Sequence, residues 1–135
     1  MSSMSNNLER DFLNWFFGDT EPTVPGTIYV GLSTADPGET GSGVAEPSGG
    51  SYARVAVANN TTNWPEVAAG EAKENAVAIT FPTATDSWGT ITHMFFATAA
   101  SGGQLIAKAA LTTSRTITSG QTPAFAIDAI SMTAD

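Results

Sequence analysis

The chain has 135 residues, no cysteine and only 13% charged residues, with five Lys plus Arg against thirteen Asp plus Glu for a net charge of −8. That balance argues against nucleic acid and against anionic membrane surfaces as partners, because both attract cationic side chains, and no apolar run approaches the roughly 20 residues that span a bilayer. Without cysteine there can be no disulfide, thiolate metal site or cysteine nucleophile.

A chain of this length is expected to form one domain, residues 1–135, that buries roughly 65–70% of its unfolded surface. Small residues, Thr and Ser dominate its composition, which leans toward β-rich shells and fibres. Met1 to Asp11 carry neither the basic nor the apolar region of an export signal, so synthesis in the cytoplasm is expected. From Leu8 onward Phe12, Trp15 and Phe16 follow at helical spacing, which predicts an amphipathic helix over 5–18. Ser5 or Asn6 can accept the orphan N–H bonds at its start, and Gly18 can take the left-handed conformation that closes its end. Phe12, Trp15, Phe16 and Phe17 fall within six positions. They either plug one end of a sheet or pack on a neighbouring subunit; four such rings exceed what one small sandwich buries, so a partly intermolecular face is expected.

Beyond Pro22 and Pro25 the pattern turns to period two, and a β-sandwich is predicted over 27–133. Expected strands are Thr27 to Ser33, Tyr52 to Ala58, Ala76 to Phe81, Thr90 to Ala97, Gln104 to Thr112, a short Arg115 to Thr118, and Ala124 to Thr133. A further strand or turn falls near Asn63-Trp64-Pro65. The stretch from Ser42 to Gly50 reads as a long surface loop, and Ala68 to Glu74 as a helical turn or an extended loop. Ile91, His93, Phe95 and Ala97 alternate with Thr92, Met94, Phe96 and Thr98, so this strand should be central and covered on both faces. Gly49-Gly50 and Gly102-Gly103 suit corners that need positive φ, while Pro37, Pro65 and Pro82 limit unwanted strand addition.

Candidate chemistry is sparse. His93 is the sole histidine, sits in a strand pattern, and lacks both a neighbouring acid and a nucleophile elbow around any serine, which makes it structural or interfacial. One histidine and no thiolate leave a transition metal without ligands. Asp36, Glu39 and Glu46 supply the oxygen chemistry calcium prefers, but Asp36-Pro37-Gly38 is explained by turn geometry. Glu66, Glu74 and Asp86 lie near Trp64 and Trp88, the ingredients of a glycosidase, yet acids confined to loops make a rigid, desolvated pair improbable. Trp64 and Trp88 are expected first as core or edge packing groups; with Tyr52 they could instead offer rings to a saccharide.

The ordered set of segments carries a resemblance. An aromatic N-terminal helix precedes Ile28-Tyr29-Val30-Gly31-Leu32-Ser33-Thr34-Ala35-Asp36-Pro37-Gly38, then Gly49-Gly50-Ser51-Tyr52-Ala53-Arg54-Val55, Trp88-Gly89-Thr90-Ile91-Thr92-His93 and Gly102-Gly103-Gln104-Leu105-Ile106. This series resembles the short virion structural proteins of tailed bacteriophages known as tail-fibre or minor structural proteins. The resemblance implies a non-enzymatic virion component without a cofactor. It departs from the family at Ala97-Thr98-Ala99-Ala100, where a more acidic turn is usual, and it lacks a repetitive shaft.

The expectation is therefore a mostly β chain, an antiparallel β-sandwich of jelly-roll type with one N-terminal amphipathic helix. Its expected role is a capsid decoration or short spike subunit, a homo-oligomer and specifically a trimer, docked on major capsid or tail proteins through Phe12, Trp15, Phe16 and Phe17. The alternative is a tail-fibre adaptor or a receptor-binding module that holds a host surface glycan at Tyr52, Trp64 or Trp88.

Overall fold

The computed structural model describes residues 2–18 and 20–133. In chain order they form β1 (Ser2–Met4), α1 (Asn6–Phe16), β2 (Thr27–Ser33), β3 (Val55–Ala58), β4 (Lys73–Glu74), β5 (Ile79–Thr80), β6 (Gly89–Ala97), β7 (Leu105–Ile117), β8 (Ala124–Phe125) and β9 (Ser131–Met132). Five of these make one antiparallel sheet in the order β1-β7-β6-β2-β3, and β4 with β9 and β5 with β8 make two-stranded ribbons.

The sheet is built around β6. Successive side chains of a strand point to opposite faces, so Met94 and Phe96 enter one layer while Phe95 and Ala97 enter the other. On the first face Val30, Leu32, Val57 and Ile91 join them beneath Trp64, Ile79, Phe81, Trp88 and Ile130 from the loops and ribbons. On the second face Phe95 and Ala97 pack with Leu105, and Val44 of the β2–β3 connection closes over them. The Arg54 guanidinium lies 5.0 Å from the centroid of the Phe95 ring. Gly31 stands opposite Phe95 in the β2–β6 register, and its missing side chain leaves room for the ring.

The mostly β, antiparallel character and the single helix match expectation. The jelly-roll arrangement does not follow from this topology, because two short ribbons and their loops cover the five-stranded sheet where a jelly roll places a second four-stranded sheet. Several strands also differ from their predicted bounds. β3 begins only at Val55, because the Tyr52 hydroxyl, and not a strand, accepts the Leu32 N–H at 2.9 Å. The segments expected at Gln104 to Thr112 and Arg115 to Thr118 are one strand, β7, with a bulge. Between the pairs His93–Ala110 and Ile91–Arg115, two steps along β6 face five along β7, so surplus residues bow out without a β6 partner.

The last predicted strand is broken in two by a turn at Asp128, whose φ is 63°. Buried Asn75 holds that turn: its amide donates to the carbonyls of Val77 and Ala126, each at 2.9 Å, and its oxygen accepts the Ile130 N–H at 2.8 Å. Trp64 falls in a turn, and Lys73 and Glu74 form β4 where a helical turn or loop was expected. β1 had no side-chain signal, since Ser2-Ser3-Met4 joins the sheet through backbone pairing with β7.

Gly31→Ala places a methyl group against the fully buried Phe95 ring and should lower the unfolding free energy by about 1–3 kcal/mol, as overpacking does. Gly26→Ala, which meets nothing within 4 Å, should change it by less than about 0.5 kcal/mol. Urea melts of the two variants make the comparison, and equal melts would show that the Gly31–Phe95 contact is not tight.

Candidate functional site

The helix is anchored at its first turn. Ser5, fully buried, donates its backbone N–H to Ile106 O at 2.9 Å and its hydroxyl to Leu105 O at 2.6 Å, while its Oγ accepts the Leu8 N–H at 3.3 Å. One side chain thus caps α1 and fastens it to β7, and the Asn6 N–H adds a bond to Glu39 O at 3.1 Å. Beyond this latch no residue of α1 is buried. Phe12 is 48% exposed, Trp15 42%, Phe16 65% and Phe17 77%. The rings pack mainly on one another, Phe12 stacking on Phe16 at 6.0 Å and meeting Trp15 edge-on at 6.1 Å. They form an apolar ridge on an arm, and they plug no described end of the sheet.

The three candidate saccharide residues lie elsewhere, and the structure corrects two of them. Trp64 and Trp88 are each 3% exposed. Trp64 meets Phe96 edge-on, and Trp88 donates its indole N–H to Gly50 O at 2.8 Å, so both rings are packing groups with no free face. Tyr52 is half-buried between Phe81 and Trp88, and its hydroxyl donates to Glu46 at 2.8 Å while accepting from Leu32. The patterning made these rings available in principle. It could not show that the polar loops around them fold inward.

The charged groups fasten loops. Arg54 forms two bonds to Glu46, at 2.9 and 2.8 Å, and donates to the carbonyls of Ala99 at 2.7 Å and Gly102 at 2.8 Å. It therefore ties the β2–β3 loop to the β6–β7 loop across the Phe95 ring, a role that no local sequence signal announces. Burial pushes the Glu46 carboxyl upward, but hydrogen bonds from Arg54 and Tyr52 outweigh it and hold it below its ordinary value. Burial also keeps the Tyr52 phenol protonated well above the usual range. The Lys108 ammonium, 2.7 Å from Asp36 and 3.5 Å from Glu39, holds the Asp36 carboxyl low, with the Gly38 N–H assisting.

The structure brings His93 to 4.0 Å from Asp36 and 2.8 Å from the Thr92 hydroxyl, supplying an acid that sequence separation had concealed. Asp36, Glu39 and Glu46, the candidate calcium ligands, are thus each engaged by a cation. Among the described residues no group of three or more His, Asp and Glu is placed to hold a metal ion. Glu66, Glu74 and Asp86 are all exposed.

A second apolar feature was not foreseen. A groove of about 570 Å³ opens between the bulged half of β7 and the 121–129 segment, with Leu32, Phe81, Ile91 and Phe125 at its floor.

A family model described as podophage GP4 fiber I protein gp80 matches residues 3–133. No curated protein matches the sequence.

The Glu46–Arg54 pair gives the fold an acid limit. Because Glu46 titrates below its ordinary 4.5 in the folded chain, its contribution is complete above that value and is lost as pH falls through the lower folded value. Asp36 acts in the same direction. The melting temperature should fall on acidification through that window, and Glu46→Gln should be less stable at neutral pH with a shallower acid slope. Calorimetry against pH provides the check; parallel slopes for the two proteins would contradict the assignment.

Proposed function

The chain belongs to the podophage GP4 fiber I protein family, which makes it a phage virion structural protein of tail-fibre type, and we propose that it serves as a non-enzymatic fibre subunit assembled as a homo-oligomer. The observation that carries this reading is the family match over residues 3–133, almost the whole chain. It favours the fibre role over the capsid decoration or short spike expected first. The non-enzymatic reading is supported by the acids themselves: Glu46 and Asp36 are spent on ion pairs that fasten loops, while Glu66, Glu74 and Asp86 stay solvated. Assembly is supported by the α1 ridge, since monomeric proteins seldom present four large rings side by side. Other virion proteins would be its remaining partners, reached through the hydroxyl-rich and backbone-rich surface.

Gold-labelled antibody on purified virions tests the location. Label confined to the tail region is expected, and label spread over the head would return the decoration role. Light scattering of the purified chain tests assembly. A discrete oligomer is expected for the native chain, and a monomer that still melts cooperatively for the triple variant Phe12→Ser, Phe16→Ser and Phe17→Ser. Loss of the cooperative melt would place these rings in the monomer's own core.

A further inference from the structure

The groove and the ridge are each incomplete within one copy. The groove exists because the β7 bulge carries Leu111, Thr112 and Thr113 to its mouth, so that the first core layer is left open at Leu32, Phe81, Ile91 and Phe125. Arg115 also lines it. No described residue forms an ion pair or hydrogen bond with the Arg115 guanidinium, although three of the five cations, Arg10, Arg54 and Lys108, are paired with acids. None of the described residues from 5 to 26 lines the groove. The arm is latched at Leu105 and Ile106, the opposite end of β7 from the segment ending at Ile117.

We infer that this groove receives the aromatic ridge of α1 from a second copy of the chain. The inference rests on the homo-oligomer proposed above and names its contact surfaces. Three features of the molecule select that occupant. The chemistry matches: a floor of aromatic and branched aliphatic side chains suits Phe12 and Phe16, which would continue the core layer that the bulge leaves open. The charge matches: Glu9 lies three and seven residues before Phe12 and Phe16, hence on the same helix face, and brings a carboxylate toward the lone Arg115. The area matches as well. With aromatic side chains of 150–250 Å², the four ring-bearing residues leave about 350–600 Å² bare, a large part of the roughly 800 Å² that each partner of a stable interface contributes.

Donor and acceptor are different surfaces of one chain, so two copies can exchange arms about a two-fold axis, or each copy can give an arm to one neighbour and take one from another, which closes into a ring when the rotation permits.

The absence of native cysteine makes the test clean. A chain carrying Phe16→Cys is mixed with a differently tagged chain carrying Thr113→Cys at the groove mouth, and the mixture is oxidised. A disulfide between the two tags is expected, at least about tenfold above that formed with Val67→Cys, an exposed residue outside the groove. Arg115→Glu should weaken association by about tenfold, and adding Glu9→Arg should restore it. An oligomeric chain in which Phe16→Cys links only to Phe16→Cys, or in which the charge reversal gives no rescue, overturns the arm-in-groove contact and leaves the homo-oligomer standing. A native chain that is monomeric by light scattering overturns both.

Discussion

Phe95 and Phe96 are neighbours on one strand, and each is almost wholly buried. Adjacent strand residues point to opposite faces, so these two rings require both sides of the sheet to be covered, although the described residues form no second full sheet on either side. The rest of the fold follows from that demand. One face is closed by two-stranded ribbons, turns and the two buried tryptophans. The other is closed by the β2–β3 connection, from which Val44 packs on Phe95, Ala97 and Leu105. Loops make poor lids, because their backbone groups need partners and their order costs entropy. Arg54 answers both needs: it stacks on Phe95, pairs with Glu46 and satisfies two carbonyls of the facing loop.

The arm obeys the opposite logic. Ser5 fastens it with three hydrogen bonds at one end, while the aromatic residues beyond pack mainly on each other. A stretch so apolar and so exposed is costly in water, at roughly 25 cal/mol for each Å² left uncovered, and that cost is relieved only by contact with another surface. In the homo-oligomer proposed above such a surface has a reason to persist, since an assembled subunit can place part of its core in its neighbour.

What could be read in the sequence follows from where the information is local. β2 was legible residue for residue, because Ile28, Val30 and Leu32 alternate without interruption, and the helix was legible from its spacing and caps. β1 was invisible, since Ser2-Ser3-Met4 pairs through backbone alone. The β7 bulge was misread as a gap between two strands: Thr113 and Ser114, left between the predicted segments, are strand residues of the bulged stretch. Trp64 and Trp88 were legible as core or edge packing groups, but their partners Phe96 and Gly50 were not, because these lie distant in the chain. Arg54 and Asn75 carried no local signal at all, for each joins loops whose proximity only the closed fold creates.

Charge sets the remaining terms of assembly. With a net charge of −8, copies of this chain repel one another at long range, which favours solubility before assembly. Two of the five cations, Arg54 and Lys108, are occupied in fastening loops within the monomer, so few remain to offset that repulsion between copies. In the proposed homo-oligomer, cohesion would then come from short-range apolar contact, with a cation such as Arg115 serving to orient the approach more than to hold it. An aromatic arm opposite an open core layer is the arrangement such a composition permits, because its attraction is felt only after the surfaces meet and their water has left.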